Sequence, residues 1–160
     1  MKVLIKDGGP VCDSPVARVE GEVIARCSNT SCPARFREAI SHFASTEAMD
    51  IPGLGAKLAD QLVAKQLVKN LADIYALTMK DLKRLMRMGD KSAQNIIDSI
   101  IRSKQNAKLD RLIYALIYAP GIPHVGRALA TDLAAHFGSV EKLAGADERA
   151  LKSVGLDLLD

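Results

Sequence analysis

The 160-residue chain has no tryptophan and only three tyrosines and three phenylalanines. With 4% aromatic residues, its core must be built from Leu, Ile, Val and Ala, which suits helices. No apolar run approaches the roughly 18 residues that a membrane span needs. The N-terminus shows no apolar stretch of the signal-peptide kind. These two absences predict a chain with no membrane partner, located in the cytoplasm. Cysteine is scarce and odd in number: Cys12, Cys27 and Cys32, all near one end. Such a cluster argues against a disulfide framework, and for a reducing compartment and a metal. Net charge is only +3, so the total does not by itself select a polyanion partner.

What is present is an ordinary globular composition, 48% apolar and 26% charged, long enough for a real core. It suits one domain, or a small domain with an appendage. Within it one signature occurs three times: a glycine, an alanine four residues on, and an aliphatic residue three further. The copies are Gly55-Ala59-Leu62, Gly89-Ala93-Ile96 and Gly126-Ala130-Leu133, with their glycines 34 and 37 residues apart. A period of that size marks a repeated supersecondary unit.

Residues 1–33 differ from the rest. They hold every cysteine, three of the six prolines, and an alternating stretch from Ala17 to Arg26. That reads as a small turn-and-hairpin knot. From Ala34 onward the pattern is helical. Helices are predicted over Pro33–Ala44, Lys57–Ala64, Leu71–Ala76, Lys80–Met86, Lys91–Ser103, Asp110–Tyr118, Arg127–Phe137, Val140–Leu143 and Asp147–Val154. Ile96, Ile97, Ile100 and Ile101 form one apolar stripe, and Leu129, Ala130, Leu133, Ala134 and Phe137 another. Thr78 and Asp147 are placed as N-caps. Leu71, Ile74, Thr78 and Leu82 share their spacing with Val140, Leu143, Asp147 and Leu151. Residues 34–160 therefore divide into halves, about 45–105 and 109–160. A fourth hairpin is truncated, with Val154-Gly155-Leu156 as the remnant of its turn. The expected fold is all-α: a tandem helix-hairpin-helix array with a small N-terminal cysteine-rich, zinc-finger-like appendage.

A glycine turn that opens a helix presents free backbone N–H groups and the positive end of the helix dipole, a ready phosphate site. In Ile51-Pro52-Gly53-Leu54-Gly55 the aliphatic residue between the glycines can anchor the turn in the core. Lys57, Lys91 and Arg127 follow their glycines closely and add charge. The candidate DNA-binding residues are Gly53, Leu54, Gly55 and Lys57 in the first hairpin. In the second they are Met88, Gly89, Lys91 and Ser92, and in the third His124, Val125, Gly126 and Arg127. His124 stands where the first hairpin has Gly53 and reads as a turn residue, since no nearby carboxylate orients it. Residues 83–111 carry eight Lys or Arg against three Asp, a local +5, while residues 138–160 carry three against five, a local −2. The basic stretch is either a polyanion surface or a solvated helix face. Backbone donors read no bases, so they predict binding to double-stranded DNA without sequence preference and with steep salt dependence.

These residues resemble the helix-hairpin-helix region of bacterial NAD-dependent DNA ligase, from about Pro10 to Leu151. The resemblance is carried by Val19-Glu20-Gly21-Glu22, by the run from His42-Phe43 to Ala48-Met49-Asp50-Ile51, and by Gly53-Leu54-Gly55. It continues in Met88-Gly89-Asp90-Lys91-Ser92-Ala93-Gln94-Asn95, Leu112 to Leu116, Gly121 to Gly126 and Phe137-Gly138-Ser139. It implies a zinc finger ahead of the hairpins, in which Cys12, Cys27 and Cys32 match the second, third and fourth of four cysteines. The first falls on Gly9, which cannot bind zinc. The site is then degraded, or completed by Asp7, Asp13 or a water.

The resemblance further implies a partner in nicked duplex DNA, contacted across the minor groove, and in the other domains of the parent ligase. Its location would be bacterial cytoplasm, associated with the nucleoid. The family's Lys-x-Asp-Gly adenylation motif is absent; Lys6-Asp7-Gly8 lacks the spacer residue. This chain alone is therefore expected to be no enzyme, with no catalytic residue and no NAD bound, NAD belonging to the parent enzyme. Residues 117–120 mark an insertion of about four residues against the family pattern, at the entrance to the third hairpin. Two rivals remain at this point. One is a helix-hairpin-helix module of another DNA-repair protein, a nuclease or junction-binding factor. The other is a module that docks protein.

Overall fold

A computed structural model describes residues 2–8, 11–21, 23, 25–29, 31–116 and 126–155, with residues 2–8 and 19 described through their backbone only. The expected insertion at 117–120, His124, Val125, Gly9 and Leu156 lie outside the described residues.

The N-terminal segment is a three-stranded antiparallel sheet in the order β1 (Lys2–Gly8), β2 (Pro15–Val19), β3 (Arg26–Cys27). Ile5 pairs with Val16, and Val16 in turn with Cys27. The alternation over residues 17–26 located a hairpin but missed β1. The apolar, β-favouring run Val3-Leu4-Ile5 was the signal for it.

The rest is helical: α1 (Pro33–Ala44), α2 (Ala56–Ala64), a 3-10 helix (Leu71–Ala76), α3 (Met79–Lys83), α4 (Asp90–Gln105), α5 (Leu109–Leu116), α6 (Arg127–Phe137), α7 (Val140–Ala144) and α8 (Glu148–Ser153). Pro33 opens α1 at a position where its missing N–H costs nothing. α3 ends three residues before the predicted Met86, because Leu85 turns into the core at 4% exposure and Arg87 takes a left-handed conformation.

The first core joins α1, α2, the 3-10 helix, α3 and α4 through Ile40, Phe43, Ile51, Leu54, Leu62, Ile74, Leu82 and Ile96, among others. α4 buries Ala93, Ile96, Ile100 and Ser103, whereas Ile101 is 50% exposed. The inward face is thus turned from the predicted isoleucine stripe toward the small residues. Ser103 is held there by donating to the Met49 carbonyl at 2.6 Å, with the Tyr75 hydroxyl 3.1 Å away. The second core is thinner, with Ile113, Ala130 and Leu133 buried among the described residues. Leu129, Ala134, Phe137, Leu143 and Leu151 pack on it only half-buried.

The two halves repeat one plan. Asn70 caps the 3-10 helix, and Ser139 caps α7. Thr78 caps α3 and Asp147 caps α8, as the shared spacing predicted. In the first half Asp81 returns a bond to the Thr78 N–H at 3.0 Å, a reciprocal box. In the second half Ala150 holds that place, and only Asp147 caps. No helix among the described residues is long and apolar enough to cross a membrane.

Candidate nucleic-acid interface and metal centre

Gly55, Gly89 and Gly126 are the N-caps of α2, α4 and α6 and share one extended backbone conformation: φ/ψ of −88/−174°, −80/168° and −86/−173°. In each, the alanine four residues on donates its N–H to the glycine carbonyl at 3.0 Å. Ala59, Ala93 and Ala130 are fully buried, which explains the small residue in the signature: the first turn lies directly on its neighbours. Leu62, Ile96 and Leu133, one turn later, enter the cores.

Seven of the caps fall into two kinds, while Cys32 opens α1 with no side-chain cap hydrogen bond. Asn70, Thr78, Ser139 and Asp147 close their helices with a side-chain oxygen. The three signature glycines provide no side-chain cap. Their helices leave first-turn N–H groups for an outside acceptor. Nothing inside the molecule calls for glycine there. Each φ is negative, and a Cβ built on Gly55, Gly89 or Gly126 meets nothing within 4 Å. Space left bare of side chain and open to solvent is what a close external body requires.

Gly53 is of another sort. Its φ is +91°, and an added Cβ would sit 3.1 Å from Cγ1 of Ile96. It serves the packing of the first hairpin onto α4. Leu54, at 2% exposure, anchors that hairpin from within, and half-buried Met88 packs on the same core in the second. Arg87 stands where the first hairpin has Gly53 and also takes positive φ, 58°. The sequence reading did not single it out, although aligning Gly55 with Gly89 places Arg87 under Gly53 and His124.

Lys57, Lys91 and Ser92 are exposed. Among the described residues Lys57, Arg87 and Lys91 form no ion pair, whereas Lys83 holds Asp90 at 2.8 Å. Arg127 is engaged inside the molecule. Its guanidinium lies 5.9 Å over the Tyr114 ring and donates to the Glu47 carbonyl. This ties α6 to the segment that enters the first hairpin.

In the appendage, the sulfur atoms of Cys12, Cys27 and Cys32 lie within 4.8 Å of one another, Cys12 and Cys27 at 3.3 Å. Tetrahedral zinc at about 2.3 Å from each sulfur sets sulfurs about 3.8 Å apart, so the three thiols fit three corners. Cys32 is buried at the N-cap position of α1 and makes no side-chain cap hydrogen bond there. The Ser14 hydroxyl and N–H, with the two neighbouring thiols, lower the Cys12 thiol to about 6. The Asn29 backbone lowers the Cys27 thiol, but Cys12, burial and Cys32 outweigh it and leave that thiol raised. A closed structural site needs a fourth ligand, and no fourth cysteine exists in the chain.

Residues 10–34 match the model of the NAD-dependent DNA ligase C4 zinc finger domain. Residues 45–100 match a SAM-like helix-hairpin-helix tandem, and residues 111–155 a helix-hairpin-helix motif. Among curated relatives, a DNA ligase of Cellvibrio japonicus is 52% identical over 95% of this chain and 22% of its own length. DNA ligases of Marinobacter nauticus and Citrifermentans bemidjiense are 47% and 48% identical, each over 91% of the chain and 21% of their own length. The chain spans about a fifth of the length of the curated relatives it matches.

Proposed function

The chain corresponds to the zinc-finger and helix-hairpin-helix region of the NAD-dependent DNA ligases, and on that premise we propose that it grips double-stranded DNA without reading its sequence. The first-turn N–H groups behind Gly55, Gly89 and Gly126 donate to backbone phosphates, and hairpins in tandem reach both strands across one minor groove. Lys57, Arg87, Lys91 and Ser92 add contacts around the first two turns. In the parent enzyme this grip holds a nicked duplex while an adenylated 5′ end is joined to a 3′ hydroxyl. The chain itself supplies none of the adenylation chemistry and does not seal nicks alone. It works in the bacterial cytoplasm beside the other domains of the ligase.

The observation that carries this reading is the contrast in caps. Four helices are closed by their own side chains, and the three signature helices are left open by glycines that neither backbone strain nor packing explains. The zinc-finger match directly before the first hairpin favours a ligase over a nuclease or a junction-binding factor. Cys12, Cys27 and Cys32 would hold a zinc ion that fixes β2, β3 and the start of α1 together. A fourth ligand would come from Asp7, Asp13 or water.

The test is Gly89→Asp. A carboxylate cap strengthens the helix by a few tenths of a kcal/mol, because aspartate is a better N-cap than glycine. It also occupies and repels the phosphate position. Chemical unfolding should show unchanged or slightly raised stability, while anisotropy titration shows duplex affinity reduced at least tenfold. Unchanged affinity in a well-folded variant would remove the open helix end from the interface. Binding that ignores salt would point to protein docking instead.

A further inference from the structure

A second cationic locus lies at the other end of α4. Its last turn carries Arg102, and after Asn106, Ala107 and Lys108 the chain enters α5, which carries Arg111. Both arginines line one groove of about 50 Å3, whose opposite wall is Met49 and Asp50. Neither arginine has an ion-pair partner among the described residues. The groove is built rather than incidental. Ser103, in its lining, ties α4 to the Met49 carbonyl at 2.6 Å, and the Asp50 N–H bonds the Ser45 carbonyl at 2.9 Å.

We propose that this groove takes one backbone phosphate of the bound duplex, at a point outside the three hairpins. The proposal rests on the DNA-binding reading above. Two arginines lining one gap offer guanidinium groups suited to the non-bridging oxygens of a phosphodiester. The space is far smaller than the roughly 300 Å3 of a small-molecule pocket, so it admits the phosphate and not a whole nucleotide. Asp50 precedes Gly55 by five residues, at most about 17 Å of chain. Phosphates advance about 3.4 Å along each strand, so one duplex reaches both places. Arg102 lies thirteen residues along α4 from Gly89, about 20 Å at 1.5 Å per residue. Its phosphate is therefore distinct from that of the second hairpin. Asp50 on the rim opposes the anion and limits its affinity.

The experiment measures duplex binding of the 160-residue protein across a salt series, with helicity checked for each variant. Arg102→Ala and Arg111→Ala should each lower the salt slope, and the double variant should lower it by about 0.9 and weaken binding roughly eightfold at 0.1 M salt, the share of one phosphate contact. Arg102→Lys should retain most of the slope. Asp50 has a φ of 52°, a left-handed conformation that asparagine tolerates, so Asp50→Asn should tighten binding. Losses from Arg102→Ala and Gly89→Asp should add, because the two sites do not touch. If the wild type binds and Gly89→Asp weakens it while Arg102→Ala and Arg111→Ala leave the slope unchanged, this proposal fails and the hairpin reading stands. A wild type that does not bind duplex overturns both. If inorganic phosphate shifts the arginine Nε–H resonances and duplex does not, the groove takes a soluble anion and the proposal is overturned.

Discussion

The first two hairpins and the third use the same three-residue signature, yet they stand on different foundations. The first pair shares one core, and the two hairpins touch: Gly53 of the first lies against Ile96 of the helix that the second opens. Their spacing is thereby fixed to the width of a packed contact. The third opens α6 over a core in which Ile113, Ala130 and Leu133 are buried among the described residues. Its ties to the first half run through Arg127, Tyr114 and Glu47, and through α5, whose Ala115 is buried in the first core and whose Tyr114 carbonyl lies 2.9 Å from His42 Nε2. A local signature therefore sets the form of an open helix end, and the packing beneath it sets how firmly that end is held.

The largest test of this difference is in the cores. Leu62, fully buried in the first, should cost about 4 kcal/mol on replacement by alanine, and Leu133→Ala in the second nearer 2. Urea unfolding gives the magnitudes. Hydrogen exchange should show that Leu133→Ala opens α6–α8 while residues 56–105 stay protected. Equal costs and joint opening would show that the halves form one cooperative unit.

Next in size are the DNA effects. Gly89→Asp should weaken duplex binding at least tenfold and Gly126→Asp only a few fold, since an open helix end on a thin core is the less preorganised donor. The reverse ranking would make the third hairpin the principal grip.

Within the first hairpin, its two glycines should separate. Gly53→Ala forces a Cβ into positive φ and against Ile96, at about 1–2 kcal/mol. Gly55→Ala costs less than 1 kcal/mol of stability, and its effect should appear in affinity instead. Calorimetry alongside anisotropy distinguishes the two.

The smallest effect concerns the connector caps. The Thr78 hydroxyl and N–H, with smaller contributions from Arg84 and Lys80, hold the Asp81 carboxyl below its usual value. A carboxylate with a depressed folded pKa adds stability that is complete above its unfolded value near 3.8 and fades as pH falls through the folded one. Thr78→Ala should cost about 1 kcal/mol at neutral pH. It should also flatten the loss of stability below about pH 4, measured by denaturation at a series of pH values. An unchanged acid limb would mean that the box contributes nothing.

The sequence by itself determined what depends on neighbours along the chain. A glycine with alanine at the fourth place and an aliphatic at the seventh places a helix start on a buried face. Thr78 and Asp147 announce caps at matched spacing. Three cysteines in 33 residues announce a common site, and their sulfurs do converge. Tertiary structure decided everything that needs a partner distant in sequence. Gly53 and Gly55 look alike in the sequence, but Ile96, more than forty residues away, makes one a packing glycine and leaves the other facing outward. The isoleucine stripe of α4 could turn either way until Met49 and Tyr75 engaged Ser103 and fixed its rotation. Arg127 carries the same sequence signal as Lys91, yet the Tyr114 ring and the Glu47 carbonyl take it up. Periodicity fixes the element and its cap because hydrogen bonds of a helix reach four residues. Burial and pairing follow from which surfaces meet, and that is a property of the folded chain.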